Sequence, residues 1–237
     1  MESPLISVVI PVFNGERFLK VSLDSIFGQS YRPLEVIVID DGSTDGTQQV
    51  VKQYPEKIRY RRQDNSGAPS ARNRGIGLAK ADFISFADAD DLWHPAKLER
   101  QMARLEAEPT LDVVVVHAQN FWMPELAREY ERVKDQRRSK AIPAYISAAM
   151  LVRRRVFESV GVFSASMRHA DGTAWFLRAR DKDVAVALLR DVLIFRRMHK
   201  LNTSRVKAGE SLDEFFGLIK ANLDHRNGSP DAQGNSE

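Results

Sequence analysis

Apolar positions along the first half of the chain switch between two periods. Residues 6–12 form a short run rich in β-branched side chains and end at Asn14 and Gly15, the pattern of a buried strand followed by a turn. Leu19, Leu23, Ile26 and Phe27 then fall at i, i+4, i+7 and i+8, which predicts a helix with Asn14 as N-cap and Gly28 as C-cap. The cycle repeats: a strand over 36–39, a short helix over 45–54 capped by Thr44, a strand over 58–60, and an Ala-rich helix from Gly67 to 79. A strand over 83–86 follows, then a helix opened by Pro95 in which Leu98, Met102 and Leu105 share a face, then a strand over 113–116. Such alternation predicts an α/β fold, a mostly parallel central sheet with helices on both faces. Ligands bind such sheets at the carboxyl ends of the strands. Three polar clusters, at 12–16, 40–43 and 88–91, fall at those ends.

The second half is less regular. Residues 125–140 are charged, with Leu126, Tyr130 and Val133 at helical spacing, and read as a helix or a flap. A strand is expected over 148–152, a short helix over 154–160 stopped by Gly161, a helix over 173–180, and closing strands over 184–188 and 192–196. Ser211 and Glu214 have the spacing of a capping box, ahead of an amphipathic pattern of Leu212, Phe215, Phe216 and Ile219. That helix is expected to dock on the core, with a membrane surface or a homodimer contact as the alternatives. The polar residues 226–237 read as a disordered tail.

Composition narrows the class. At 237 residues, with 43% hydrophobic and 28% charged positions, the chain suits one globular domain. The absence of cysteine removes disulfides and thiolate metal sites and fits a reducing compartment. A net charge of +3 makes no case for nucleic acid. The arginine clusters at 137–138 and 153–155 read as solvated faces, with an anionic acceptor or membrane surface as the other reading. No apolar run approaches the roughly 20 residues that span a bilayer, and the first residues carry no signal-peptide pattern, so a cytoplasmic or membrane-peripheral enzyme is expected.

The chemistry concentrates at the acidic turn of Asp88, Asp90 and Asp91. Carboxylates two apart at the end of an extended segment point to one side, and their mutual repulsion is offset well by a hard divalent cation. Mn²⁺ or Mg²⁺ bridging such a turn to a diphosphate is one reading; a solvated turn that caps the next helix is the other. Asp40 and Asp41 end the second strand, where a carboxylate can accept from a nucleobase or a ribose; a tight Gly turn with a helix cap is the other reading. The Gly67 loop opens a helix whose backbone N–H groups, with Arg72, suit an anion.

Taken together, residues 7–15 (SVVIPVFNG), 38–47 (VIDDGSTDGT), 67–75 (GAPSARNRG) and 86–91 (FADADD) resemble glycosyltransferase family 2, of the GT-A fold. All four segments occur in order over residues 7–116, about half the chain. The resemblance implies a metal-dependent transfer, with inversion, of a sugar from a nucleoside diphosphate donor, UDP-sugar favoured, to an unidentified saccharide, lipid-linked or peptide acceptor. It implies a donor half at 1–118 and an acceptor half at 119–225. Pro11, Phe13 and Glu16 would line the nucleobase pocket, Asp41 would accept from the base, Arg72 would lie near base or diphosphate, and Asp88 would hold the ribose. Asp90 would bind the metal, Asp91 would assist, and His199, in a late segment at 196–202 (RRMHKLN), would approach the metal or diphosphate.

One departure bears on catalysis. Family members often carry Glu-Asp before a Trp-rich helix, and the Asp is the usual base. The matching segment here, 168–178 (RHADGTAWFLR), puts Asp171 on the Glu position and Gly172 on the Asp position, with Trp175 counted among the substrate-binding residues. Asp171 or His169 is then the candidate base, and a donor-binding module without transfer activity is the alternative. A nucleotidyltransferase ranks lower, because no Lys-bearing triphosphate loop follows the first strand.

Overall fold

The structure, a computed structural model, describes residues 3–136, 139–206 and 208–227. The first half contains β1 (Ile6–Val12), α1 (Leu19–Phe27), β2 (Leu34–Asp40), α2 (Thr47–Val51), β3 (Ile58–Arg62), α3 (Ala68–Leu78) and β4 (Phe83–Phe86). β1 pairs with β2 on one side and β4 on the other, β3 flanks β2, and all four run parallel. The second half follows with β5 (Leu92–Trp93), α4 (Lys97–Ala107), β6 (Val113–Trp122), α5 (Ala127–Val133), β7 (Ile142–Pro143) and β8 (Leu151–Arg153). It ends with α6 (Val156–Val160), α7 (Asp171–Arg180), β9 (Val186–Met198), α8 (Thr203–Val206) and α9 (Ala208–Asn227). The sheet order is β3-β2-β1-β4-β8-β6-β9-β5, with β7 added to β6.

The parallel expectation holds through the first four strands. Beyond them the sheet is mixed, because β8 enters antiparallel between β4 and β6 while β9 runs parallel to β6. This arrangement points the carboxyl ends of β1, β2, β4, β6 and β9 to one rim.

Strand alternation builds two cores. Val8 and Ile10 of β1, Val36 and Val38 of β2, and Val114 and Val116 of β6 pack with Leu19, Leu23 and Ile26 of α1 and Leu98, Met102 and Leu105 of α4. Val9, Ile37, Ile39, Val113 and Val115 face the other way, onto Ala71 and Ile76 of α3, Phe157 of α6 and Trp175 of α7. Gly75 of α3 sits so close to β1 that a Cβ there would lie 2.2 Å from Val9 Cγ1.

Several expectations are corrected. Asn14 does not cap α1, which begins at Leu19 after Phe18. Asn14 takes a positive φ of 52° and its Oδ1 accepts from Thr44 N–H across the rim. Thr44 likewise is no cap: α2 starts at Thr47 after Gly46. The two closing strands are one 13-residue strand, β9, whose pairing with β6 shifts register on both sides of His117. Arg153 and Arg154 are half-buried and donate to the carbonyls of Leu111 and Ala79, whereas Arg155 is exposed as expected; Arg137 and Arg138 lie outside the described residues. Ser211 falls inside α9, so no capping box starts that helix. Leu212 and Phe216 are exposed rather than docked on the core. α9 continues through Asn227, and residues 228–237 lie outside the described ones. Among the described residues no helix is long and apolar enough to cross a membrane.

Candidate active site

The loops after β1 and β2 are laced together at the rim. Asn14 N–H donates to Ser43 Oγ at 2.9 Å, Gly15 N–H to Thr47 Oγ1 at 2.8 Å, and Glu16 Oε2 accepts from Gly46 N–H at 3.0 Å. Glu16 is thus occupied in joining the turns, and Pro11 is buried beneath them. Phe13, 53% exposed, stands free at the edge.

Asp41 is nearly inaccessible, 3% exposed, and organises the next loop. Its Oδ1 accepts from Gln63 Nε2 at 2.7 Å and Ser66 N–H at 2.9 Å, and its Oδ2 accepts from Gly67 N–H at 2.8 Å. Gly67 has φ +90°, a conformation only glycine adopts freely, which turns the chain into α3 while its N–H stays on the carboxylate. Gly42, Arg62, Gln63, Asp64 and Asn65 line an open hollow of about 630 Å³ beside this loop.

Arg72, on the buried face of α3, joins two carboxylates from distant parts of the chain. Its Nη1 donates to Asp171 Oδ2 at 2.8 Å and its Nη2 to Asp88 Oδ1 at 3.3 Å. Asp171 is the first residue of α7, 6% exposed. The structure therefore brings Arg72, Asp88 and Asp171 together. Gly172 explains its own size: a Cβ there would lie 3.3 Å from the backbone N of Ser147, so glycine lets α7 approach that segment.

The acidic turn meets the end of β9. β5, too short to be seen in the hydrophobic pattern, pairs Leu92 with Phe195 and draws the turn onto that strand. Asp90 Oδ2 lies 2.9 Å from His199 Nε2 and accepts from Asn202 Nδ2 at 3.2 Å. Asn202 Oδ1 in turn accepts from His199 N–H at 2.6 Å, and the His199 ring packs on Phe18 with centroids 4.6 Å apart. Asp91 faces inward, and its Oδ1 accepts from Arg197 N–H at 2.9 Å. Burial, reinforced by Asp90 and Asp88, pushes the Asp91 carboxyl well above its ordinary 3.8. Arg197 completes the lock, with Nε on the Asp90 carbonyl at 2.8 Å and its guanidinium between Phe18 and Phe121, 4.7 Å from each ring. The lock residues Arg197 and Asn202 had no assigned role in the sequence, although both lie in the segment that resembles the family.

Among the described residues no three His, Asp or Glu side chains are grouped to hold an ion alone. Asp90 and His199 form a two-donor edge, one oxygen and one nitrogen. That set suits a divalent ion that takes its remaining ligands from phosphate and water.

Two candidates face elsewhere. Trp175 is fully buried in the core on α7 and donates from Nε1 to the Gly161 carbonyl at 2.9 Å, so it lines no groove. His169 turns toward α9: its Nε2 is buried without a hydrogen-bond partner, 3.9 Å from Glu210 Oε2.

The family model described as "Glycosyl transferase family 2" matches residues 7–161. An uncharacterized glycosyltransferase of Rickettsia typhi is 32% identical over 227 residues, a match covering 91% of this chain and 70% of that protein. The glycosyltransferase GlyA of Streptococcus pneumoniae is 34% identical over 119 residues, 49% of this chain and 17% of its own. The chain belongs to glycosyltransferase family 2. Its fold is GT-A: S. aureus TarS 1-349 in complex with UDP-GlcNAc superposes with a TM-score of 0.74 at 18% identity, over 95% of this chain and 67% of that one. The mannosyltransferase PcManGT from Pyrobaculum calidifontis, in complex with GDP-Man and Mn²⁺, gives 0.69 at 21% identity, over 93% of this chain and 65% of that one.

Proposed function

We propose that this chain transfers a sugar from a nucleoside diphosphate donor, a UDP-sugar by preference, to an acceptor hydroxyl or amine with inversion. The observation that carries the reading is the Arg72 bridge, which holds Asp171 on one side and Asp88 on the other. Asp171 is thereby held beside the acidic turn, which in this reading faces the donor.

In this reading Phe13 stacks at the nucleobase, the Asp41-ordered loop borders it, and Asp88 holds the ribose. Asp90 and His199 would hold Mn²⁺ or Mg²⁺, while Asp91 secures β9 beneath them. The bound ion supplies positive charge to the leaving diphosphate. The acceptor oxygen attacks the anomeric carbon from the face opposite the diphosphate, and its proton passes to Asp171 as the bond to the diphosphate breaks. The binding of UDP-GlcNAc by TarS and of GDP-Man with Mn²⁺ by PcManGT supports the donor class.

Gly172 favours a second reading, a module that binds the donor without transferring it. Calorimetry and turnover separate the two. Asp90→Asn is expected to abolish Mn²⁺-dependent donor binding. Asp171→Asn is expected to bind donor as the wild type does and to lose turnover by about 10²- to 10⁴-fold. Intact turnover in Asp171→Asn would remove Asp171 as the base. Donor binding without turnover in the wild-type protein, across donors and acceptors, would favour the binding module.

A further inference from the structure

Glu214 of α9 takes no part in the chemistry proposed above, yet it makes three well-formed hydrogen bonds. Its carboxylate accepts backbone N–H from Arg168 at 2.8 Å, His169 at 2.7 Å and Ala170 at 2.8 Å. These residues lead directly into α7, whose first residue is Asp171. The N-cap of α7 is Ala170, which has no side-chain oxygen, so α7 lacks the cap that such a position usually supplies. Glu214 supplies a carboxylate from 44 residues later in the chain, at the end of a helix that favours negative charge. Burial pushes the Glu214 carboxyl up, but the three N–H bonds outweigh it and hold the group below its ordinary 4.5.

The residues just ahead of α9 are fastened at two further places. His199 and Asn202 contact Asp90, and Arg205 forks onto Glu129 of α5 with both contacts at 2.6 Å. Residues 199–205 thus touch the carboxylate proposed to hold the ion, and Glu214 of α9 holds the loop that leads to the proposed base.

We infer that Glu214 is a positioning residue: it fixes the loop at 168–170 and, through it, the Asp171 carboxylate. The catalytic consequence rests on the reading of Asp171 as base; the fixing of the loop does not. A misplacement of the order of 1 Å at a reacting group can lower a rate by about 100-fold.

The test uses the full chain with Glu214→Ala, Glu214→Gln and, as a control, Asp213→Asn, which removes an exposed carboxylate from the same helix. Three quantities are measured: amide hydrogen exchange at 168–170, donor affinity by calorimetry with a panel of UDP- and GDP-sugars and Mn²⁺, and nucleoside diphosphate release with water as acceptor. In Glu214→Ala, the three amides are expected to lose protection, and release at saturating donor to fall roughly 10- to 100-fold. Donor affinity should stay within about twofold, since the donor rim is built by other residues. Glu214→Gln, which keeps an acceptor oxygen, should fall between, and Asp213→Asn should match the wild type. Unchanged protection of the amides in Glu214→Ala overturns the inference, as does unchanged release in a variant whose protection is lost. If the wild-type protein releases no nucleoside diphosphate to water, exchange at 168–170 alone decides whether Glu214 fixes the loop.

Discussion

Gly172 and Asp171 are adjacent and do opposite things. Asp171 contributes a carboxylate held by Arg72, whereas Gly172 contributes the absence of a side chain, which lets α7 rest on the backbone of Ser147. Restoring the family's residue with Gly172→Asp should therefore impair rather than improve the protein. Its Cβ would meet Ser147 N at 3.3 Å, and overpacking of this kind costs about 1–3 kcal/mol, to be read from the denaturant midpoint. A rise in turnover from that variant would show that α7 has room for a second carboxylate. At this scale the sequence was legible where motif and chemistry coincide. Asp90 and His199, the residues that the resemblance assigns to the metal, lie side by side although 109 positions separate them. Trp175 was not legible, because a tryptophan in a motif looks the same whether it faces a groove or the core. Glu214 was visible only as one end of a capping pattern. Its real partners, at 168–170, are set by tertiary packing that no local spacing encodes.

At the scale of elements, hydrophobic period located strands and helices well, and turn chemistry misled. β1 and β4 fall where their apolar runs predicted, since strands buried on both faces admit little else. Asn14 and Thr44 look like caps, but at this rim Asn14 Oδ1 accepts from Thr44 N–H and Asn14 N–H donates to Ser43 Oγ, across two loops. β5 is two residues long and has no period to read.

Two predictions belong to elements. Gly75→Ala would drive a Cβ into Val9 where α3 packs on β1, and a loss of about 1–3 kcal/mol in chemical denaturation is expected. Lys97 of α4 is fully buried, with Nζ 3.0 Å from Ser85 Oγ and 3.8 Å from the Trp93 ring centroid. Burial holds its ammonium well below the ordinary 10.5. Between the folded value and 10.5, the unfolded chain binds a proton that the folded chain has shed, so this group makes stability rise with pH across that window. Lys97→Met should flatten that alkaline rise and be the more stable protein at neutral pH. An unchanged slope in paired urea titrations from pH 7 to 10 would assign the rise to other groups.

The whole molecule joins a parallel sheet in its first half to a mixed sheet in its second, and the long β9 pairs with both β6 and β5. Its register with β6 brings residues 195–199 back to the acidic turn, so the second half completes a rim that the first half begins. The chain spans 70% of its Rickettsia typhi relative and about two thirds of the TarS 1-349 structure, and the acceptor is the least legible part of the sequence. The residues at 119–145 match no motif, and α5 and β7 form there through packing onto β6 and its neighbours.

Donor cleavage needs no knowledge of that acceptor. The most direct measurement is nucleoside diphosphate release from a panel of UDP- and GDP-sugars by the wild-type protein, with Mn²⁺ and after its removal by chelation. The rim of Asp88, Asp90 and His199, with Asp171 held by Arg72, predicts slow release from one class of donor, UDP-sugars first, that disappears with the metal and with Asp90→Asn. Release that persists undiminished in the chelated protein, or in Asp90→Asn, would contradict it.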